Sequence, residues 1–149
     1  MVKKEIKKTE KEMEHETAKK VGRYIEAVGR RKTAIARVRI FSGHGASVVN
    51  KKDLKNYFSL ERLRISATSP FKEVGMDDKF DVEAKVSGGG IKAQSEAIRL
   101  GVARALVAKN AEFNKRLRLV GFLTRDSRKV ERKKYGLKKA RRAPQWQKR

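Results

Sequence analysis

The chain has 149 residues, forty Lys or Arg against seventeen Asp or Glu, a net charge of +23 and no cysteine. That length carries one domain plus tails, and the lack of cysteine excludes disulfides, thiolate metal sites and a cysteine nucleophile. So large a basic excess selects nucleic acid or an anionic surface as partner, and no apolar run approaches the roughly eighteen residues of a membrane-spanning helix.

The chain opens with MVKKEIKKTEKEMEHETAKK. These residues hold no apolar run of the secretory kind, and their five Glu are unlike an organelle transit peptide. Residues 1–22 are therefore expected to be a disordered, charged extension with a solubilising Lys/Glu alternation. His15 and His44 are far apart in polar settings, which suits exposed side chains rather than a metal site.

Order is expected from Arg23. YIEAVGRRKTAIARVRIFSG reads as two strands broken by a basic turn at Gly29-Arg30-Arg31-Lys32. In the second strand Ala34, Ala36, Val38 and Ile40 share one face, and Ile35, Arg37, Arg39 and Phe41 the other. A period of two marks a strand with one face in the core. Arg37 and Arg39 then sit on an ordinary wet sheet face or join Arg30, Arg31 and Lys32 in one basic patch; the pattern allows both.

Gly43-His44-Gly45 predicts a turn, Ser47–Val49 a short strand, and NKKDLKNYF a helical turn capped by Asn50 or Asp53. LERLRISATSPFKEVG predicts a helix that breaks before Pro70, and Asp77-Asp78 another turn. Residues 79–86 alternate cleanly, with Phe80, Val82, Ala84 and Val86 inward and Lys79, Asp81, Glu83 and Lys85 outward. After Gly88-Gly89-Gly90 a long helix is expected from Ile91 to Lys109, with Ile91, Ile98, Val102, Ala105 and Leu106 on one stripe beside Gly101. EFNKRLRLV follows as a shorter helix. The fold class is α/β (α+β): a small two-layer sandwich, a mostly antiparallel sheet covered by helices, with the globular part over residues 23–124.

Residues 125–149 carry twelve Lys or Arg against Asp126 and Glu131, a net of +10, and little that could bury itself. Such a segment stays extended until a polyanion neutralises it. Arg141, Arg142 and Arg149 can fork onto phosphates, and the lysines act as point charges. Trp146 can stack on an exposed base or ribose, or pack against protein where the tail leaves the domain.

A glycine turn between strand and helix can cradle a phosphate on backbone N–H groups. SGGGIKAQSEA has that context but lacks the G-K-[ST] ending of a nucleotide loop and the dinucleotide spacing. Gly88, Gly89 and Gly90 thus serve a tight turn and close helix packing, RNA-phosphate binding, or both, with Lys92 just inside the helix. A phosphotransferase would need metal ligands and a base that the pattern does not supply, and Asp77-Asp78 has no catalytic partner beside it. No enzyme, cofactor, metal or small-molecule substrate is expected.

Gly88, Gly89, Gly90, Ala93, Gln94, Ala97, Gly101, Ala103, Arg104, Ala105 and Leu106 match, position by position, the signature of the ninth ribosomal protein of the small subunit. VGRRKTAIARVRIF and DSRKVERKKYGLKKARRAPQWQKR agree as well, so the chain resembles that family from about Tyr24 to Arg149. The resemblance implies a fold shared with domain two of another small-subunit ribosomal protein, and a place on the subunit head against 16S-type rRNA and neighbouring head proteins. It implies a cytoplasmic, ribosome-bound protein rather than one of an organelle matrix. Contacts to rRNA would fall to Arg30, Arg31, Lys32, Arg37, Arg39, the three glycines and Lys92. In the tail they would fall to Arg128, Lys129, Arg132, Lys133, Lys134, Lys138, Lys139, Arg141, Arg142 and Trp146. The end of the tail would reach tRNA in the P site through Lys148 and Arg149. Many bacterial members end in an aromatic, Ser, Lys and Arg, whereas Gln147 stands here in the serine position. The same charge without the signature would suit a free RNA chaperone or nucleoid-type binder, and the signature with its C-terminus favours the ribosome.

Overall fold

Alternating small and β-branched residues build the first hairpin. Strand β1 (Ile25–Arg31) pairs antiparallel with β2 (Ala34–Ser42). The computed structural model describes residues 23–77 and 79–147. The predicted disorder of 1–22 and the Asp78 half of one predicted turn lie outside the described residues.

The hairpin turn is at Lys32 and Thr33, not at Gly29–Lys32 as expected. Lys32 takes the left-handed backbone conformation, with φ 52°, while Gly29, Arg30 and Arg31 each face a β2 residue in register. Gly29 serves packing instead: a Cβ there would overlap the Ala97 carbonyl oxygen of the helix above.

Strand β5 (Phe80–Ser87) lies antiparallel to β2 and parallel to β3 (Ser47–Val49), which pairs antiparallel with β4 (Lys52–Asp53). The order is β1-β2-β5-β3-β4. Ala34, Ala36, Val38 and Ile40 are buried as their alternation predicts, and so are Val82, Ala84 and Val86 on β5. Asp81 corrects that pattern, because it is buried rather than outward. Its carboxylate accepts N–H bonds from His44 at 3.0 Å and Ala46 at 2.9 Å, which closes the expected turn at Gly43–Gly45. A buried carboxylate is tolerated where donors satisfy it.

Helix α1 (Leu54–Tyr57) begins after Asp53, whose side chain makes no cap hydrogen bond. Asn50 belongs to the β3–β4 turn and exchanges two bonds with the Val86 backbone, at 2.9 and 2.8 Å. Helix α2 (Glu61–Val74) runs through Pro70, against the expected break. Proline cannot donate to the carbonyl four residues back, but the Ser69 hydroxyl donates to that Ser66 oxygen at 2.9 Å. Burial of Pro70 and Phe71 favours keeping the helix whole. Gly75, at φ 72°, ends it with a left-handed cap.

Helix α3 (Ile91–Lys109) has the predicted bounds. Ile98, Val102, Ala105 and Leu106 are buried, but Ile91 is exposed. Ile91 opens the helix at the glycine turn, ahead of the stretch covered by the sheet on one side and α2 on the other. That double cover also buries Ala93, Ala97, Leu100 and Ala103. Helix α4 (Phe113–Leu119) adds Leu117, and Phe122 and Leu123 pack against the core. The result is the expected two-layer sandwich, helices over a mostly antiparallel sheet.

Candidate nucleic-acid interface

The glycine turn is held from three sides. Gly88 and Gly89 have φ of 68° and 66°, a left-handed conformation that favours glycine. A Cβ on Gly88 would come 2.6 Å from the Thr33 carbonyl oxygen, and one on Gly89 would come 2.9 Å from the Ala34 nitrogen. Gln94 donates to the Gly88 oxygen at 3.1 Å and accepts from the Tyr57 hydroxyl at 2.8 Å. Two glycines therefore serve close backbone packing against the hairpin turn. Gly90 faces open space, and no side chain caps the first turn of α3. Exposed Lys92 stands at the positive end of this nineteen-residue helix.

This asymmetry predicts different outcomes for neighbouring substitutions. Gly89→Val should cost about 2–4 kcal/mol, because it combines a left-handed β-branched residue with a backbone clash. Gly90→Ala should melt with the parent. Equal melting of Gly89→Val and parent, followed by thermal denaturation, would remove the packing role.

On the sheet face away from the helices, the register places Arg30, Ile35 and Ser87 in one row and Val28, Arg37 and Lys85 in the next. Glu26, Arg39 and Glu83 form a third. Glu26 draws in both arginines, with Nε of Arg39 at 2.8 Å and Nε of Arg37 at 3.3 Å. The Arg39 hydrogen bond, helped by the Arg37 charge, holds the Glu26 carboxyl below the usual carboxylate range. Arg39 also lies over the Tyr24 ring, 4.8 Å from its centre, and Tyr24 meets Phe41 at 5.7 Å. Arg30, Lys32, Lys85 and Lys92 are exposed and carry no ion pair among the described residues.

Arg31 behaves differently from its neighbours. Its Nε meets Glu96 of α3 at 2.6 Å, its Nη2 meets Asp126 at 3.0 Å, and its Nη1 donates to the Arg128 carbonyl at 2.8 Å. Asp126 accepts from the Arg128 guanidinium at 2.8 Å and backbone N–H at 2.9 Å. Those Arg128 bonds, with the Arg31 charge behind them, hold the Asp126 carboxyl far below its ordinary value.

Residues 125–147 form no helix or strand, and nearly all are exposed. Glu131 gathers Lys134 at 3.0 Å and Arg141 at 2.8 Å. Lys129, Arg132, Lys133, Lys138, Lys139 and Arg142 have no ion pair among the described residues. Trp146 is 89% exposed. Lys148 and Arg149, assigned to tRNA, lie outside the described residues.

Sequence reasoning missed Lys85, which strand register sets beside Arg37, and Tyr24, whose ring lies under Arg39. It also missed the ion pairs that Arg31 and Arg128 make within the chain, Arg31 nearly buried and Arg128 exposed. The one available signal was Asp126, an acid standing alone among the cations from Arg125 to Lys129. Among the described residues, no group of acids and histidines is placed to hold a metal ion, and no helix is long and apolar enough to cross a membrane.

Residues 29–149 match the family described as ribosomal protein S9/S16. The chain is 54% identical over 125 residues to small ribosomal subunit protein uS9 of Cytophaga hutchinsonii, covering 84% of this chain and 98% of that protein. It is 50% identical over the same length, with the same coverage, to small ribosomal subunit protein uS9 of Amoebophilus asiaticus.

Proposed function

The chain belongs to the ribosomal protein S9/S16 family, a structural and not an enzymatic family, and on that premise we propose that it binds 16S-type rRNA on the head of the small subunit and touches P-site tRNA. In this reading residues 23–124 are the globular rRNA-binding unit and 125–149 a tail that threads between rRNA strands beside other head proteins. The protein works in the cytoplasm, as part of the ribosome.

The observation that carries this reading is the run of exposed cations from Lys129 to Arg142, of which all but Lys134 and Arg141 have no ion pair among the described residues, on backbone with no secondary structure of its own. A narrow passage between phosphates has no room for a folded module, whereas an extended Arg/Lys strand fits. Counterions released from the RNA offset the entropy lost when the strand is ordered. Arg30, Lys32, Arg37, Arg39 and Lys92 supply further phosphate contacts from the domain, with the Gly90 turn as an anion cradle. Trp146 offers its open ring to a base or ribose. Lys148 and Arg149 end the strand at the tRNA.

Sedimentation of a cell extract through a sucrose gradient tests the assignment. Tagged protein should travel with small subunits and leave them only when the particle is stripped by high salt. Migration with free RNA or the nucleoid would overturn it in favour of a nonspecific binder.

A further inference from the structure

We infer that Arg31 is a positioning residue, the anchor that fixes where the basic tail leaves the domain, and not one of the chain's phosphate contacts. The inference rests on the RNA-binding reading of the tail and gives that tail a device for aiming it.

All three outer nitrogens of the guanidinium are engaged, with Glu96 on α3, Asp126 in the tail and the carbonyl of Arg128. Only a planar fork can meet three acceptors in this way; a lysine at the same place could not. The Arg31 side chain is 13% exposed, against 59% for Arg37 on the open sheet face. Two cations, Arg31 and Arg128, here meet two anions, Glu96 and Asp126, so the cluster carries no net charge to offer a phosphate.

The cluster sits where the core ends. Phe122 and Leu123 are the last side chains packed against it, and Asp126 follows within three residues. The Asp126 carboxylate receives the Arg128 N–H and closes a small local loop, whose carbonyl Arg31 then holds. Arg31 also leads directly into the Lys32–Thr33 turn, against which Gly88 and Gly89 are packed. Glu96 lies one turn along α3 from Lys92, on the same helix face. The tail is thereby tied to the end of the domain that carries Lys32, the glycine turn and Lys92. With its base held there, Lys129, Arg132 and Lys133 lose less freedom on meeting RNA than they would on a free pivot.

Backbone ¹⁵N relaxation of the free full-length protein, joined to a salt series of binding to deproteinised 16S-type rRNA, tests the anchor. In Arg31→Met the order parameters of residues 126–130 should fall to those of the distal tail, with α3 unchanged; Arg31→Lys should fall part of the way. Affinity for rRNA should drop by up to about fivefold, as for other partly exposed ion pairs, with no change in the slope of log affinity against log salt. Asp126→Asn provides the second arm, since it leaves Arg31 charged. It should loosen the same residues, an effect read by relaxation alone because the substitution also releases Arg128. If Arg31 touched phosphate, Arg31→Met would flatten the slope by roughly 0.7–0.9. That result overturns the inference, as does unchanged relaxation in both variants. Loss of salt dependence in the parent protein would sink the RNA reading instead, while relaxation still decides whether Arg31 anchors the tail.

Discussion

A Gly29→Ala chain should lose about 3 kcal/mol or more of folding stability, and Gly29→Val should fail to fold. Gly29 is a strand residue directly beneath α3, where an added Cβ would overlap the Ala97 carbonyl oxygen and come 2.5 Å from the Gly101 nitrogen. Both atoms belong to the backbone of a helix, so neither can swing aside as a side chain would. Gly101 meets the same junction from above: a Cβ there would come 2.6 Å from Cγ2 of Val38 and 3.3 Å from the Gly29 nitrogen.

The two glycines let the helix rest on the sheet backbone, and the burial of Ile98, Val102 and Leu106 depends on that approach. Lifting α3 to admit a methyl group would open gaps along this whole seam, and interiors tolerate few voids. Since a domain of this kind has only about 5–15 kcal/mol in total, the loss is a large fraction. Gly101→Ala should cost less, because its nearest obstacle is a side-chain methyl that can shift. Thermal and urea unfolding of purified variants measure both effects. A Gly29→Ala melting point within about 2 °C of the parent would rule out the close-packing role.

Deleting Gln147, Lys148 and Arg149 should leave the fold and subunit entry intact and weaken tRNA binding in the P site. Gln147 is exposed, and the described core ends well before it. If both removed cations touch phosphate, log affinity against log salt should lose roughly 0.7–0.9 of slope for each. Neutralising Arg149 alone should give an intermediate change. Arg149→Lys should give a smaller one, since a point charge remains where the fork is lost. Filter binding of tRNA to reconstituted small subunits, full-length against truncated over a salt series, reads both quantities. Equal affinity and equal slope would show that the last residues do not reach the tRNA, leaving the tail as an rRNA strand alone.

The contrast between these predictions follows how legible each feature was. The period of two over Ala34–Ile40 and 80–86 was readable because every second side chain must meet the core. The limits of α3 were readable because three glycines precede it and its apolar spacing persists to Lys109. The tail was readable from charge alone, since net repulsion cannot build a core.

Other features were misread for definite physical reasons. Gly29 looked like a turn because glycine serves equally for left-handed backbone and for close approach, and one strand cannot say which. Pro70 looked like a helix end because the compensating hydroxyl of Ser69 and the burial of its own ring both depend on the folded surroundings. Asp81 followed the outward alternation in sequence, yet the turn at Gly43–Gly45 folds over its strand and takes the carboxylate.

By itself the sequence determined the alternating strands, the long helix, the basic tail and the family signature, because each is written in residues near one another along the chain. Only the tertiary structure decided which charges remain available to a partner. Arg31 reads as one cation of a basic run until Glu96, 65 positions away, and the Arg128 carbonyl, 97 positions away, close around its guanidinium. Coulomb attraction and hydrogen bonding depend on distance in space. Composition counts charges, and it is the fold that pairs them.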